Sequence, residues 1–497
     1  MGIVASQSLK NLFSTYLGFA IGAINTLFLY TRFMSDEYYG MVGYMLSLAF
    51  VIMPLMAFGV HNTLVKFYSS FKTRVSLNSF LTLMLFLPLL LIIPLIVITH
   101  FSHEFISEFL SSTNVIIKDY LWHTFIIAVA LAYFEVFFAW AKVQMQTVFG
   151  NFMKEVFHRA CTMMLLFGLH FEIIGIEHFM VGLVIIYVIR MVIMKVYAFS
   201  IKFPVISFKS IPNINEVLKY ASLIIVAGSI ATVLLDVDKV MLGQYIAIEQ
   251  IAYYNVAIFI TAVIAVPQRS MHQILMPLSA KFLNEKDTDA LKDLYKRSSL
   301  NLFIISGFIF LLIVLNINQL YLLLDEEFSV GLYVVLLISI VKLYDALLGS
   351  NNAILFNSDY YRMVLLLGVV LVVVMILLNI IFIPLYGING AALATFISIF
   401  IYNTIKLFFV YKKFKMLPFS ADTLKIGSLI GLSVVLFYFW DFSFHPILNI
   451  ILKSALITIL YGLAIYLFKF SDNITDLINL DIIGIDFNNL AATTIIA

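Results

Sequence analysis

The stretch that decides the fold runs from Ala231 to Phe259 and reads ATVLLDVDKVMLGQYIAIEQIAYYNVAIF. It ends one apolar segment on two acids, turns through a short polar loop, and opens the next apolar segment on Tyr-Tyr-Asn. An upstream stretch from Leu27 to Phe50, LFLYTRFMSDEYYGMVGYMLSLAF, has the same order of apolar segment, acidic turn and tyrosine pair. This similarity indicates that a pair of apolar segments is duplicated.

Further landmarks along the chain share nearly the same offset. They are Glu37 with Glu249 (212 residues apart), Pro54 with Pro267 (213 apart), and Gly175-Ile176 with Gly387-Ile388 (212 apart). Several short matches at one spacing are the signature of an internal repeat. The sequence therefore predicts two related halves.

The composition is that of an integral membrane protein. Of the 497 residues 63% are hydrophobic and 12% are charged, and the mean hydropathy is +1.04. This leaves too little polar surface to coat a soluble particle. The single cysteine, Cys161, excludes a disulfide within one chain and a cysteine metal cluster. Nucleic acid is not an expected partner, because the net charge is only +2 and the basic residues lie in short loops.

The apolar segments are long enough to cross a bilayer as helices. A spanning helix needs roughly 20 apolar residues, and none of these segments alternates with the period of two that barrel strands require. The sequence predicts an all-α chain with about fourteen spans, at residues 8–32, 39–66, 77–100, 119–143, 153–171, 177–200, 217–240, 250–278, 299–324, 329–351, 360–383, 387–411, 423–440 and 446–469.

The distribution of basic residues predicts the orientation of these spans. If the N-terminus is cytoplasmic, 26 of the 30 Lys and Arg residues fall on the inner side, which agrees with the positive-inside rule. A repeat of six spans, an even number, keeps both halves in one orientation, so they are predicted to be parallel repeats. The predicted segments are an N-lobe (1–200), a cytoplasmic linker (201–216), a C-lobe (217–411), two extra helices (412–470) and a cytoplasmic tail (471–497).

The sequence lacks the motifs of common membrane-associated enzymes. It contains no GxxxxGK[ST] phosphate loop, no HExxH zinc motif and no GxSxG nucleophile turn. The longest predicted external loop, 100–119, has about twenty residues, which is too short for an outward-facing catalytic domain. We therefore expect a transporter rather than an enzyme.

Four cationic or titratable side chains inside predicted spans are candidates for function, because burying one ion costs about 2.5 to 3.5 kcal/mol on insertion scales. Arg190 lies near the middle of the sixth span. Arg269 and His272 share a face of the eighth span, and His61 lies at the corresponding depth of the second. A structural role stays open for each: a pair between helices for Arg190, and snorkelling or a satisfied core position for the others.

Three further residues are candidates for a gate. Lys342 and Asp345 share a face of the tenth span three residues apart, where a local ion pair is the simplest interpretation. Glu135 of the fourth span precedes Asp345 by 210 residues and lies at a similar depth. This match indicates either a repeated gate or a coincidence.

A set of oxygen-bearing residues near the outer end of the seventh span is a candidate site for a coupling ion. Asp236 is the deeper of two acids there, and Lys239 is expected to pair with Asp238, which would leave Asp236 without a local partner. Asn379 and Thr395 of the eleventh and twelfth spans lie at about the same depth. Such oxygens suit Na⁺ or, at the carboxylate, H⁺. A carboxylate hydrogen-bonded between helices, with no ion, is the alternative.

The chain resembles the prokaryotic polysaccharide exporters and oligosaccharide-lipid flippases (Wzx type) of the superfamily that also includes multidrug and toxin extruders and lipid II flippases. The resemblance covers most of the chain. It is carried by SQSLKNLFSTYLGFAIGAINTLFLYTRFM, by a loop ending in YYG, and by DVDKVMLGQYIAIEQIAYYNVA, PQRSMHQILMPLSAKF and IPLYGINGAALATFISI. One departure is Ala252, where relatives commonly have glycine.

The resemblance implies two six-helix lobes around a central cavity that opens alternately to either face. The cargo would be an oligosaccharide on a polyprenyl diphosphate, moved to the outer leaflet of a prokaryotic inner membrane for cell-surface polysaccharide synthesis. Membrane lipids and other polysaccharide-assembly proteins are the implied partners, and no organic cofactor is expected. The diphosphate would meet Arg190, Arg269, His272 and His61, and lipid II flippases place a sodium site in the second lobe.

Two alternatives remain at this stage. A cation-coupled multidrug exporter of the same superfamily would be expected to line its cavity with acids and aromatic rings rather than cations. A membrane glycan polymerase or ligase would need a long outward loop bearing acids or histidines.

Overall fold

The computed structural model describes residues 3–468 and Phe470, without the side chains of residues 3–6, 8, 9, 226, 227, 231 and 232. The predicted cytoplasmic tail, 471–497, lies outside the described residues. The described chain is all-helical, which confirms the predicted fold class. Its first half contains α1 (Ile3–Ile24), α2 (Tyr30–Phe33), α3 (Asp36–Met56), α4 (Val60–Phe67), α5 (Arg74–Phe86), α6 (Leu89–Phe101), α7 (His103–Leu110), α8 (Leu121–Lys142), α9 (Val148–Phe152), α10 (His158–His170) and α11 (Ile176–Ile201).

The remaining helices follow an extended segment that links the halves. They are α12 (Ile214–Tyr245), α13 (Glu249–Ala262), α14 (Val266–Glu285), α15 (Thr288–Tyr321), α16 (Leu332–Leu347), α17 (Asn351–Asn357), α18 (Tyr361–Phe414), α19 (Ala421–Phe437) and α20 (Pro446–Phe468).

The number of predicted spans is not confirmed. The described residues contain ten helices long and apolar enough to cross a membrane, or eleven if α12, which bends by 62° between Ile230 and Val233, is one span. The difference from fourteen arises at three places. The predicted span 153–171 begins with the π-helical turn Met153–Phe157, so that α10 has only 13 residues. The predicted spans 360–383 and 387–411 count together as α18, although Gly387 breaks the helix at φ 57° and ψ −132°. The third is α19, which has only 17 residues.

Contacts group the described chain into two units. The first comprises the described residues within Met1–Phe259, Glu327–Val334 and Leu365–Ile399, and the second comprises those within Ile260–Glu326, Val335–Val364 and Phe400–Ala497. These units do not follow the boundaries of the predicted lobes, which were drawn from the sequence repeat. The predicted lobes, and their relation by rotation, stay a prediction.

The core of the first unit is built around α8. This helix packs on α11, α3 and α4, and its Phe134 and Trp140 are fully buried. The Trp140 ring nitrogen donates to the carbonyl oxygen of Lys202 over 3.1 Å, which satisfies its only polar atom. In the second unit α15 packs on α14, α19 and α20, and the Tyr461 hydroxyl donates to the carbonyl oxygen of Ile304 over 3.0 Å.

The opening stretch and its upstream counterpart pack directly on each other within the first unit. A β-carbon added at Gly40 would collide with the carbonyl oxygen of Ile248, and one added at Gly43 would collide with the Asn255 amide. The Tyr253 hydroxyl donates to Asp36 Oδ2 over 2.7 Å, so the tyrosine pair of one stretch binds the acidic turn of the other. This close approach fixes α12 and α13, which carry the candidate coupling residues, against α3.

The turn between α12 and α13 is held by a residue from the loop before α8. The Asn114 amide nitrogen donates to the carbonyl oxygens of Gly243 and Ile246 over 2.8 Å each. The Asn114 amide oxygen accepts from the Ile248 backbone nitrogen over 2.9 Å. The position of this turn is therefore defined by three hydrogen bonds from one side chain.

Candidate functional site

The buried carboxylate at the end of the seventh span is Asp238, and three neutral side chains donate to it. Asn379 Nδ2 lies 2.8 Å from Asp238 Oδ1, and the Tyr254 hydroxyl lies 2.7 Å from Oδ2. The Thr395 hydroxyl also donates to Oδ2. Three donors directed at one carboxylate are the arrangement expected for its ionised form. Tyr254 belongs to the same opening stretch as Asp238.

This geometry corrects the predicted roles of the two acids. Asn379 and Thr395 contact Asp238, not Asp236, and Lys239 pairs with Asp236 over 3.1 Å, not with Asp238. The reason is helical geometry. Residues two apart on an α-helix point about 200° away from each other, whereas residues three apart are neighbours. Asp236 therefore has the local partner that the sequence interpretation assigned to Asp238.

The surroundings of Asp236 differ from those of Asp238. In addition to the Lys239 ion pair, Asp236 Oδ1 accepts a hydrogen bond from Ser47 of α3 over 2.9 Å. Asp236 is thus neutralised locally, whereas Asp238 forms no ion pair among the residues that the structure describes. The amide oxygen of Asn379 is buried and has no hydrogen-bond partner among the described residues. That oxygen belongs to a side chain that contacts the Asp238 carboxylate, and the hydroxyls of Tyr254 and Thr395 contact the carboxylate directly.

A second buried polar cluster of the first unit contains Arg190 and Glu135. Lys154 forms an ion pair with Glu135, with Nζ 2.6 Å from Oε1. Arg190 is only 4% exposed, and its guanidinium carbon lies 4.2 Å from the ring centre of Phe134. Because Lys154 occupies the Glu135 carboxylate, the charge of Arg190 is not neutralised by an ion pair in the described part of the chain.

The guanidinium of Arg190 retains unused hydrogen-bonding capacity. Its Nη1 lies 3.4 Å from the ring nitrogen Nδ1 of His158, and its Nε is buried without a partner among the residues that the structure describes. Arginine binds phosphate and carboxylate through pairs of N–H groups. A buried guanidinium whose Nε–H has no partner can therefore bind an anion by donating to it.

His61 lies near the same acid. Its Nε2 is 3.1 Å from the Asn62 amide nitrogen, and its Nδ1 is buried without a partner in the described chain. Glu135 interacts electrostatically with His61, Lys142 and Lys154. The structure therefore places His61 and Arg190 in one unit, around the same carboxylate.

Arg269 and His272 lie in the second unit, which also contains Asp345. His272, Lys342 and Lys406 each interact electrostatically with Asp345, and Arg269 interacts with Lys342. The prediction that Arg190, Arg269, His272 and His61 face one cavity stays a prediction.

The expected local ion pair between Lys342 and Asp345 is wrong. Both residues are described, and their charged atoms do not come within the 4.0 Å of an ion pair. Instead Asp345 Oδ1 accepts from the Asn403 amide over 3.0 Å. The Asp345 side chain is thus turned towards α18, so sharing a helix face with Lys342 does not pair them.

Sequence reasoning missed several partners of these residues. They are Tyr254, Lys154, His158, Asn403 and the buried Lys406, whose Nζ donates to Asn352 Oδ1 over 2.8 Å. For Tyr254 a signal existed, because the opening stretch contains both it and Asp238. For the others the contact joins separate helices, and no spacing in the sequence reports it. Among the described residues no group of three or more His, Cys, Asp or Glu side chains is arranged to hold a metal ion.

Solved structures with this fold are membrane transporters. The chain is similar to the lipid II flippase MurJ in an inward closed conformation, with a TM-score of 0.73 and 17% identity over 93% of this chain and 99% of that one. It is also similar to a multidrug resistance MATE family transporter of the MOP superfamily in an inward-facing conformation, with a TM-score of 0.58 and 12% identity over 82% and 94%.

A third similar structure is a MOP superfamily transporter from Pyrococcus furiosus that is described as having a binding pocket of reversed polarity. The TM-score is 0.52, with 11% identity over 82% of this chain and 95% of that one. At these identities the likeness establishes the fold and no more.

Comparison by sequence gives the family. A search of curated proteins found no significant match. The family described as polysaccharide biosynthesis protein matches residues 8–283. Because this match covers more than half of the 497 residues, the chain belongs to the polysaccharide biosynthesis protein family.

Proposed function

We propose that the chain is an alternating-access flippase for an oligosaccharide linked to a polyprenyl diphosphate. Two findings support this proposal: the chain belongs to a polysaccharide biosynthesis family, and it shares its fold with MOP transporters. Together they favour the transport of a molecule used to make polysaccharide. The cargo would move from the cytoplasmic to the outer leaflet, in contact with membrane lipids and with other polysaccharide-assembly proteins.

The observation that carries this proposal is the state of Arg190. A guanidinium that is 4% exposed, stacked on Phe134, without an ion pair in the described chain and with an unpartnered Nε is costly to bury unless it binds an anion. A diphosphate has the charge and oxygen geometry that arginine binds best. His61 would support the same anion, and Arg269 and His272 of the second unit would meet it elsewhere along its path.

The coupling site is proposed to be centred on Asp238. Its carboxylate, the free amide oxygen of Asn379, and the hydroxyls of Thr395 and Tyr254 could ligate Na⁺ after rotation of the donors, or the carboxylate could take up H⁺. Glu135 and Asp345 are proposed as gate residues, each held by a partner that must release it when the gate moves.

Transport of purified chain in liposomes tests the proposal. A short polyprenyl diphosphate bearing a fluorescent sugar should move between leaflets with the chain present and not in its absence. A multidrug exporter would instead move an organic cation dye, and the uncompensated charge of Arg190 disfavours such a cargo. Dye transport without diphosphate transport would overturn the proposal in favour of that exporter, and elongation of the glycan would favour the polymerase or ligase.

The proposed orientation has both termini in the cytoplasm of a prokaryotic cell. This orientation is supported by the distribution of Lys and Arg, because it places 26 of the 30 on the cytoplasmic side. In a Cys161→Ser background, we expect Glu172→Cys to react with an impermeant maleimide added to intact cells and Lys72→Cys to react only after lysis. Both positions are exposed, so the labelling depends only on which side of the membrane each cysteine faces. The opposite pattern would reverse the orientation.

A further inference from the structure

Arg190 is surrounded by three rings from three helices. Its guanidinium carbon lies 4.2 Å from the ring centre of Phe134 on α8 and 5.0 Å from that of Tyr187 on α11. His158 of α10 contacts its Nη1 over 3.4 Å. Phe134 cannot ionise, and Tyr187 stays neutral near neutral pH. His158 is the one whose protonation state can respond to pH.

The contact with Arg190 assigns the protonation state of His158. A guanidinium only donates, so Nδ1 must offer its lone pair, and the imidazole proton must lie on Nε2. The carbonyl oxygen of Lys154 interacts with the same histidine. If His158 takes up a proton, Nδ1 becomes a donor and can no longer accept from Arg190.

With Arg190 included, three cations and two acids act directly within this group, so its net charge is positive. The charged and titratable groups that act on His158 and Arg190 are Arg159, Lys154, Glu135, Glu155 and Tyr187, and Asp236 acts on Tyr187. Lys154 pairs with Glu135, and Arg159 pairs with Glu155 over 3.5 Å. Both acids are therefore already bound, and a proton on His158 would face Arg190 as an adjacent like charge.

We propose that His158 is a proton-binding site linked to the anion at Arg190: anion binding to the guanidinium is accompanied by uptake of one proton from water onto His158 Nδ1. The inference rests on the proposed function, because it concerns the same anion. An anion at Arg190 removes the like-charge penalty and attracts the imidazolium. The protonated state is then favoured more with the anion bound than without it. By linkage, anion binding strengthens as the pH falls.

The test uses the full chain in detergent and inorganic pyrophosphate as the probe. Calorimetric titrations between about pH 8 and pH 5 span the range in which histidine titrates, and buffers of different ionisation enthalpy report the protons taken up. The key variant is His158→Asn, whose amide oxygen lies at the position of Nδ1 and can still accept from Arg190 but cannot bind a proton. Pyrophosphate also changes its protonation state over this range, but it does so in the same way with both proteins. The difference between the two plots of affinity against pH therefore reports the contribution of His158.

We expect the wild type and the variant to bind pyrophosphate with similar affinity at pH 8. At pH 5 the wild type should bind it about tenfold more tightly than the variant. The wild type should also take up more protons on binding. Superimposable pH profiles, or equal proton uptake, would overturn the inference. Arg190→Ala separates this failure from that of the proposed function: if it binds pyrophosphate as the wild type does, the anion site itself is wrong. If His158→Asn unfolds, His158→Gln, which carries the same amide group one bond further out, replaces it in the comparison.

Discussion

Replacing Arg190 by alanine should abolish diphosphate flipping while the chain stays folded and inserted. Removing a buried, hydrogen-bonded charge from its contact with an anion typically costs several kcal/mol, which corresponds to a fall of about two orders of magnitude or more in binding. Arg190→Lys keeps the charge but loses the planar pair of N–H groups, and we expect an intermediate rate. The measurement is the initial flipping rate in liposomes.

Thermal stability distinguishes this role from a structural one. A buried guanidinium without an ion pair in the described chain opposes folding, so its removal should leave the melting temperature unchanged or higher. If Arg190 served only to join helices, the variant would melt at a lower temperature and lose flipping for that reason. The matched control is Arg74→Ala at the exposed start of α5, which should leave both readouts unchanged. Normal flipping by Arg190→Ala would contradict the anion site.

The sequence predicted the helical class and the residues worth attention because both depend on local properties. Apolar length determines whether a helix can span, and an ionisable residue inside such a length is visible without knowing its neighbours. The count of spans was less predictable. The π-helical turn at Met153–Phe157 shortens the following α-helix to 13 residues, and hydropathy does not report such a turn. Nor does hydropathy report the kink at Gly387, which divides α18.

The partners of those residues were less predictable, because depth along a helix does not define direction around it. Asp236 and Asp238 differ little in depth, yet they face opposite sides of α12, and only Asp238 meets Asn379. Applying the spacing rule to Lys239 would have assigned it to Asp236. No comparable rule in the sequence could have paired Arg190 with His158, because those residues lie on different helices and meet only through packing.

The ion pair expected in the second unit was wrong for the same reason. Lys342 and Asp345 satisfy the spacing of an ion pair, yet Asn403 takes the carboxylate. A local rule gives the set of allowed contacts, and packing between helices selects among them. This is also why Asp238, with its three donors from α13 and α18, is a better candidate for ion coupling than Asp236, whose charge Lys239 already neutralises.

Asp238→Asn should remove the ion dependence of flipping while sparing pyrophosphate binding. The substitution keeps the shape of the side chain but removes its charge, and it directs an amide N–H at groups that donate to the carboxylate. An ion shifts the balance between conformations only by its preference for one of them, typically by about 5- to 150-fold. Without the carboxylate that preference is lost, so the ratio of flipping rates with and without the ion should fall to about one.

The matched control is Asp236→Asn, which makes the same chemical change two residues away on the same helix. Because Asp236 contacts Lys239 and Ser47 rather than Asn379 or Thr395, its variant should keep the ion dependence. Rates measured against Na⁺ at constant pH, and against pH without Na⁺, identify which ion acts. Loss of ion dependence in Asp236→Asn but not in Asp238→Asn would place the coupling site at the other acid. If both variants retained it, the three hydrogen bonds to Asp238 would be structural, joining α12 and α13 to α18.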